Sequence, residues 1–201
     1  LIDFLNLMGA DIHREQDGSV IINGVDSLKN KVEFDVIPDR IEAGTFMIAV
    51  AMCGGDVILK DVEPKHLSIV TNKLIDAGAD IDIDTKQLRV RMDKRPKSID
   101  MSTAIYPGFP TDLQAQWMAL MTIAEGSSTV TDTIYTDRFT HIAELERLGA
   151  KIHLDNNVAH ITGVNKLYGA QVMSTDIRAS ASLVIAGLVS NAETEISRIY
   201  H

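Results

Sequence analysis

The sequence has few cysteines, prolines and aromatic residues, and these shortages exclude several classes of protein. Its 201 residues contain one cysteine, Cys53, so a secreted domain held together by internal disulfides is excluded. No apolar run approaches the length of a membrane span, and no signal peptide precedes the first predicted helix. We therefore expect a cytoplasmic protein that binds no membrane, with Cys53 packed at the buried end of a helix rather than acting as a nucleophile.

Positive charge is also scarce. The net charge of −9 disfavours a general nucleic-acid-binding role. The six histidines have no cysteine or carboxylate partners at metal-ligand spacing, so a zinc site is not expected. The sequence thus predicts no metal, no cofactor and no nucleic-acid partner. Its 45% hydrophobic content suits a soluble α/β protein with a sizeable core.

The sequence does contain an internal repeat. Gly9, Gly78 and Gly149 recur at a period of about seventy residues, which is typical of a repeat architecture. An apolar stripe at helical spacing precedes each glycine, and each glycine suits the left-handed turn that ends a helix. Short alternating segments follow each turn and predict strands. The common pattern is therefore helix, glycine, strand, turn, strand.

Each repeat begins with an aspartate that opens a helix of small residues. These aspartates are Asp39, Asp112 and Asp176. We predict complete units at about 39–107 and 110–170, a shortened third unit from Met173, and the tail of an earlier unit at 1–30. Because the pattern starts and stops inside a unit, we expect the chain to be part of a longer repeat protein.

Asp112 has the most distinctive surroundings of the three aspartates. The rigid segment Pro107-Gly108-Phe109-Pro110 precedes it and restricts where its side chain points, which suits a general base. The alternative is that each aspartate is a helix N-cap, which accepts backbone hydrogen bonds and contributes roughly 1 kcal/mol. For Asp39 and Asp176 both interpretations stay open.

Arg138 and Arg178 are candidate ligands of an anion. Arg138 follows a β-rich run, and Arg178 lies two residues after Asp176, where its guanidinium could face a carboxylate or a phosphate. Alternatively, both arginines form surface ion pairs of little energetic value. The partners would then be Asp137 or Glu146 for Arg138, and Asp176 for Arg178. Spacing alone does not separate the two interpretations.

Five motifs together resemble the enolpyruvyl transferases that act on UDP-N-acetylglucosamine. The resemblance covers essentially the whole chain. The motifs are Pro38-Asp39-Arg40-Ile41-Glu42-Ala43-Gly44-Thr45, Tyr106-Pro107-Gly108-Phe109-Pro110-Thr111-Asp112-Leu113-Gln114-Ala115-Gln116, Gly169-Ala170-Gln171-Val172-Met173, Thr175-Asp176-Ile177-Arg178-Ala179-Ser180-Ala181-Ser182-Leu183 and Arg198-Ile199-Tyr200-His201.

The resemblance implies both a fold and a reaction. The implied fold is an inside-out α/β barrel built from repeated helix–strand units. Residues 1–37 would be the tail of a first domain, and residues 38–201 most of a second domain that is truncated at its C-terminus. The implied reaction transfers the enolpyruvyl group of phosphoenolpyruvate to the 3-hydroxyl of UDP-N-acetylglucosamine and releases phosphate. This is the first committed step of peptidoglycan synthesis, and so serves cell-wall biogenesis, cell shape and cell division.

The resemblance also assigns roles to single residues. Asp112 matches the aspartate proposed as general base toward the sugar 3-hydroxyl, and Ile134 matches a backbone contact to the UDP-sugar. Arg138 and Arg178 match arginines that line the phosphoenolpyruvate pocket. The other assignments are Thr111 to substrate binding, and Asp39 and Asp176 to supporting positions near the interdomain cleft.

Some family residues have no match in this chain. These are a lid-loop cysteine that is aspartate in some members, a Lys-Asn pair near the N-terminus and further pocket arginines. We therefore expect the 201 residues to be inactive alone and to need the first domain as a structural partner.

Two other functions remain open. A sister transferase that acts on shikimate 3-phosphate shares the fold and the addition–elimination mechanism, although the Phe-Pro-Thr-Asp and Arg-Ile-Tyr-His motifs favour the nucleotide sugar. A non-catalytic repeat scaffold would keep the fold and present its helix ends to a protein partner. The combination of Asp112, Arg138 and Arg178 argues against that scaffold.

Overall fold

A computed structural model describes residues 1–200, which separate into two compact units. The first unit is Leu1–Ile37, and the second begins at Pro38. His201, which closes the last motif quoted above, lies outside the described residues. Among residues 1–200, no helix is both long enough and apolar enough to cross a bilayer.

The first unit is a short helix followed by a hairpin. Helix α1 (Ile2–Leu7) leads into the antiparallel strands β1 (Asp11–Arg14) and β2 (Val20–Asn23). The chain reverses at Gly9, whose φ of 97° lies in the left-handed region, as the repeat pattern predicted. The Asn6 side chain then holds the start of β1 by hydrogen bonds to both the N–H and the C=O of Ile12.

The second unit repeats one order of elements, and this confirms the repeat predicted from the glycine spacing. The first copy is α2 (Arg40–Cys53), β3 (Gly55–Lys60), α3 (Ser68–Ala77), β4 (Asp80–Ile83) and β5 (Gln87–Met92). After β6 (Met101–Ser102), the second copy is α4 (Gln114–Thr122), β7 (Ser127–Thr131), α5 (Ile142–Arg147), β8 (Lys151–Asp155) and β9 (Val158–Thr162). A third, shorter set follows, with β10 (Gln171–Met173), α6 (Ile177–Leu188) and β11 (Glu195–Ser197).

The two copies also pair their strands in the same way. The strand order is β3-β5-β4 in the first copy and β7-β9-β8 in the second, with antiparallel neighbours in both. Strand β6 adds to β7 in parallel, and β10 pairs with β11 in parallel. The α/β fold is therefore confirmed, but residues 38–200 form separate open sheets, and the closed barrel stays a prediction.

The centre of the second unit is α4, in which every residue is buried. Helices α2 and α6 both contact α4, so the three aspartate-led helices form one core. Small residues allow this close packing. A Cβ added at Gly44 of α2 would lie 2.5 Å from a Leu113 methyl group. The helices that begin at the three aspartates thus lie side by side in space.

Cys53 corrects one sequence prediction. It is the last residue of α2, as the pattern indicated, but its side chain is exposed rather than buried. The physical reason is the Gly54-Gly55 pair, where both residues have positive φ and turn the chain sharply from α2 into β3.

Candidate active site

Asp112 lies in a single helical turn, Thr111–Leu113, that starts after Pro110 and leads directly into α4. Its carboxylate does not cap a backbone N–H in the way a helix N-cap would. Instead, Oδ1 accepts hydrogen bonds from Arg178 Nε at 2.7 Å and from Arg138 Nη1 at 3.4 Å. The N-cap interpretation is therefore wrong for Asp112, because Pro110 begins this turn and the carboxylate is committed to two guanidinium groups.

Arg178 reaches Asp112 from the first turn of α6. Its Nη2 is 2.7 Å from the same Oδ1, so both Nε and Nη2 contact one carboxylate oxygen. The two residues are 66 positions apart in the sequence. The surface pair between Arg178 and Asp176, which was one of the open alternatives, is replaced by this long-range contact.

Arg138 approaches Asp112 from the loop that follows β7. Only 18% of its side chain is exposed. Its Nη1 also donates to Thr111 Oγ1 at 3.1 Å, and its guanidinium lies over the Tyr135 ring, 4.0 Å from the centroid. The Gln114 side chain donates to the Arg138 carbonyl oxygen. Since Arg138 is largely buried and held on several sides, it is not the weak surface ion pair that spacing left open.

Asp39 and Asp176 are N-caps, which confirms that interpretation for both. Asp39 Oδ1 accepts from the N–H groups of Ile41 and Glu42, at 2.7 and 3.3 Å. Asp176 Oδ1 accepts from the N–H groups of Arg178 and Ala179, at 2.8 and 3.1 Å. Asp176 therefore fixes the backbone from which the Arg178 side chain extends.

The starts of the three aspartate-led helices surround one cavity of about 330 Å³. Its lining residues are Asp39, Ile41, Glu42, Thr45, Phe46, Asp112, Gln116, Ile177, Arg178 and Ala181. The volume is within the range of small-ligand sites. Helix N-termini carry partial positive charge, and here an arginine adds a full charge. The same lining also carries the carboxylates of Asp39, Glu42 and Asp112, so its charge is mixed, and Arg178 is the group in it that could bind an anion.

Ile134 lies beside this site with its backbone N–H already used. That N–H donates to Asp132 Oδ1 at 2.9 Å, so only the carbonyl oxygen of Ile134 is left for the ligand contact predicted from the sequence. Within residues 1–200, no group of three or more histidine, cysteine, aspartate or glutamate side chains is arranged to hold a metal ion.

Sequence reasoning missed Asp132, which is fully buried behind the site. Burial acts to raise the pKa of this carboxyl, but hydrogen bonds from Thr111, from the Tyr135 N–H, from Thr103 and from the Ile134 N–H outweigh it, and the pKa lies below its ordinary value. A local sequence pattern could have identified Asp132. An aspartate at the end of a strand commonly bonds the N–H groups two and three residues ahead, as Asp132 does here.

Comparison with known proteins gives consistent results. The model of the EPSP synthase (3-phosphoshikimate 1-carboxyvinyltransferase) family matches residues 1–201. Two curated relatives, both called UDP-N-acetylglucosamine 1-carboxyvinyltransferase, come from Desulfosudis oleivorans and Thermodesulfovibrio yellowstonii. They are 50% and 49% identical to this chain over all 201 residues, which correspond to 48% of each relative.

A solved structure agrees at the level of the fold. The crystal structure of the enolpyruvyl transferase NikO from Streptomyces tendae matches the whole chain and 48% of its own length, with a TM-score of 0.89 and 24% identity. The chain thus spans about half the length of the curated relatives it matches.

Proposed function

Because the chain belongs to the EPSP synthase family, we propose that it takes part in transferring the enolpyruvyl group of phosphoenolpyruvate to the 3-hydroxyl of UDP-N-acetylglucosamine, with release of phosphate. The single observation that supports this best is the meeting of Arg138 and Arg178 at the Asp112 carboxylate. A carboxylate that can take a proton and two guanidinium groups that can hold an anion are what this reaction requires in one place.

Asp112 would be the general base. The sugar 3-hydroxyl gives its proton to the carboxylate while its oxygen bonds to C2 of phosphoenolpyruvate. The C2–C3 π bond breaks in this step, and its electrons take up a proton at C3 from a general acid outside residues 1–201. In the second half of the reaction, C3 loses a proton, the C2–C3 double bond forms again and the phosphate leaves. A positioned base contributes roughly 10²–10⁴-fold to the rate of such a step.

Arg138 and Arg178 would bind the anionic groups of phosphoenolpyruvate. In the absence of ligand, both guanidinium groups are paired with the Asp112 carboxylate. An incoming carboxylate or phosphate competes for the same guanidinium groups. Binding of phosphoenolpyruvate would therefore draw the two guanidinium groups away from Asp112 and leave its carboxylate open to the sugar hydroxyl.

The proposed acceptor is the nucleotide sugar. It is supported by the two relatives of 50% and 49% identity, both named for UDP-N-acetylglucosamine. Thr111 and the Ile134 carbonyl would contact this substrate near Asp112, and the N-capping residues Asp39 and Asp176 would support the site. With this activity we also propose the inside-out barrel, the assignment of residues 1–37 and 38–201 to two domains, a partner domain that completes the site, cytoplasmic residence and a role in peptidoglycan synthesis.

The proposal can be tested in a hybrid enzyme, since the chain spans about half of its relatives. Residues 1–201 replace the matching part of the Desulfosudis oleivorans relative, and phosphate release from phosphoenolpyruvate is measured with UDP-N-acetylglucosamine, with shikimate 3-phosphate and with no acceptor. We expect release only with the nucleotide sugar. Release with shikimate 3-phosphate would reassign the acceptor. A well-folded hybrid that is inactive with both acceptors would favour the scaffold interpretation.

A further inference from the structure

The Asp132 carboxylate joins three segments of the chain behind the candidate active site. Its Oδ1 accepts from Thr103 Oγ1 at 2.8 Å and from the N–H groups of Ile134 and Tyr135, both at 2.9 Å. Its Oδ2 accepts from Thr111 Oγ1 at 2.6 Å. These donors lie after β6, in the turn before α4, and in the loop after β7. One buried side chain therefore fixes the relative position of all three segments.

The charge of Asp132 has an unusual environment. It is fully buried, yet none of the ion pairs formed within residues 1–200 includes it. Its negative charge is stabilised by neutral donors alone, and they keep its pKa low, so the carboxylate is ionised and can only accept hydrogen bonds. Every group that forms a hydrogen bond with Asp132 must therefore be the donor.

This requirement sets the direction of the Thr111 hydroxyl. Its single proton points to Asp132, so its oxygen lone pairs are left to accept from Arg138 Nη1 at 3.1 Å. The same Nη1 contacts Asp112 at 3.4 Å. Asp132 thus acts on Arg138 through Thr111 without touching it.

We propose that Asp132 is a positioning residue of this site, which holds Thr111 as a hydrogen-bond acceptor for Arg138 and so keeps the Arg138 guanidinium at the Asp112 carboxylate. The reaction that it serves rests on the proposed function, but the positioning itself does not. Asp132 also holds the Ile134 and Tyr135 N–H groups, so the ring that lies against Arg138 is fixed by the same carboxylate.

Asp132→Asn separates this role from simple packing. The two backbone N–H groups at the Oδ1 position can only donate, so the amide oxygen of the asparagine must occupy that position to accept from them. The amide NH₂ then faces Thr111, whose hydroxyl must turn and accept. Its proton now points towards Arg138, and the hydrogen bond from Arg138 is lost. The shape of the side chain stays the same while the direction of one hydrogen bond is reversed.

The kinetic test uses the hybrid enzyme described above. We expect Asp132→Asn to raise the KM for phosphoenolpyruvate about tenfold, because a loosened Arg138 binds the anion less well, with a smaller change in the KM for the nucleotide sugar. Asp100→Asn is the matched control. Like Asp132, Asp100 is an aspartate that accepts from a backbone N–H, that of Thr129 in β7 at 2.6 Å. Unlike Asp132, it is exposed, and it makes no hydrogen bond with Thr111 or Arg138. A purely structural loss would lower the active fraction and leave both KM values unchanged.

Thr111 variants test the relay itself. Thr111→Val should reproduce the rise in the KM for phosphoenolpyruvate seen in Asp132→Asn, Thr111→Ser should show a smaller rise than Thr111→Val because it keeps the hydroxyl, and Thr111→Val should add little in the Asp132→Asn background. If Asp132→Asn fails to fold, Thr111→Val carries the same expectation. Additive effects of the two substitutions, or a Thr111→Val hybrid with normal kinetics, would overturn the relay.

A spectroscopic test does not depend on activity. In the 201-residue chain, NMR signals of the Arg138 guanidinium should report hindered rotation in the wild type and in Asp100→Asn, and free rotation in Asp132→Asn and Thr111→Val. Unchanged signals in both site variants would overturn the inference even if the hybrid is active. Changed signals beside an inactive hybrid would instead support the positioning and reject only the proposed reaction.

Discussion

At the scale of single residues, Asp112 is distinguished by having two guanidinium partners and no backbone cap. We expect Asp112→Ala to lower kcat in the hybrid enzyme by at least about 10²-fold, because a positioned base is removed, while the far-UV circular dichroism spectrum stays unchanged.

Asp82→Ala is the control for this prediction. Asp82 is also paired with an arginine, Arg91 at 2.8 Å, but both lie on the exposed sheet of the first copy. Its replacement should leave kcat unchanged. Wild-type turnover in Asp112→Ala would rule out its role as the base.

The two arginines give a second prediction at this scale. Lysine keeps the charge but lacks the planar fork that contacts several partners at once. We expect Arg138→Lys and Arg178→Lys each to lower kcat/KM for phosphoenolpyruvate. The expected loss of transition-state stabilisation is roughly 1–3 kcal/mol for each substitution. Steady-state kinetics at varied phosphoenolpyruvate concentration measures this change.

Arg89→Lys provides the comparison for the arginine variants. Arg89 makes a two-pronged contact with Asp56, at 2.8 and 2.5 Å, with both side chains 45% exposed. Loss of that fork should have no effect on kcat/KM. If all three lysine variants behave alike, Arg138 and Arg178 are not substrate ligands.

At the scale of elements, capping and close packing fix the starts of the three central helices. Asp39 and Asp176 each satisfy two N–H groups at the beginning of α2 and α6. Each cap acts only on the first turn of its own helix. Other side chains of these helices, such as Arg178, line the cavity. The helix starts are therefore set by sequence-local chemistry, and the cavity between them by packing.

The caps lead to a prediction about stability. Asp39→Ala and Asp176→Ala should each lower the free energy of unfolding by about 1 kcal/mol, because two backbone donors lose their acceptor. Asp39→Asn and Asp176→Asn should cost much less, since asparagine is also a good N-cap. Urea unfolding followed by circular dichroism measures the difference. Equal losses for alanine and asparagine would show that the charge, and not the cap, is what matters.

At the scale of the whole molecule, His141 couples folding to pH. It is buried against Met118, with Nε2 3.3 Å from the sulfur, and its ring stacks on Phe139. Burial lowers the pKa of His141 from 6.5 to about 4, although the charge of Asp176 opposes the shift. The neutral ring is therefore the form that the fold accepts.

The sign of this effect follows from proton binding. Between pH 6.5 and about 4 the unfolded chain binds a proton at His141 that the folded chain does not. Stability is thus fully present above pH 6.5 and is lost as the pH falls towards 4, by up to about 3 kcal/mol. Replacing His141 with glutamine should remove this dependence from urea unfolding curves measured across the window. An equally steep loss in the glutamine variant would assign the effect to other groups.

The titration of Asp132 does not overlap with the pH dependence of stability expected for His141. The pKa of Asp132 is lowered in the fold, so its contribution is present above its ordinary value of 3.8 and is lost only as the pH falls below that value. The two groups therefore act in different pH ranges.

Local sequence patterns predicted the repeat, the three aspartate-led helices and the glycines that end the other helices. Gly78 and Gly149 have φ values of 108° and 92°, as the repeat pattern predicted, and Asp39 and Asp176 are caps, which was one of the two interpretations that their local patterns left open. These features are predictable because helix periodicity, capping and left-handed turns depend on residues within a few positions of one another. The motif resemblance pointed to Asp112, Arg138 and Arg178 as members of one site, but not to their contacts.

Which side chains meet depends on the tertiary packing and could not be predicted from local patterns. Arg178 pairs with Asp112 from 66 positions away, and Asp132 reaches Thr103 and Thr111 from 29 and 21 positions away. No local spacing specifies such contacts, because they depend on how α4, α6 and the β7 loop pack around a shared core. The exposure of Cys53 was decided in the same way, by the direction in which the chain leaves α2. Local chemistry therefore fixed the elements, and their packing fixed the site.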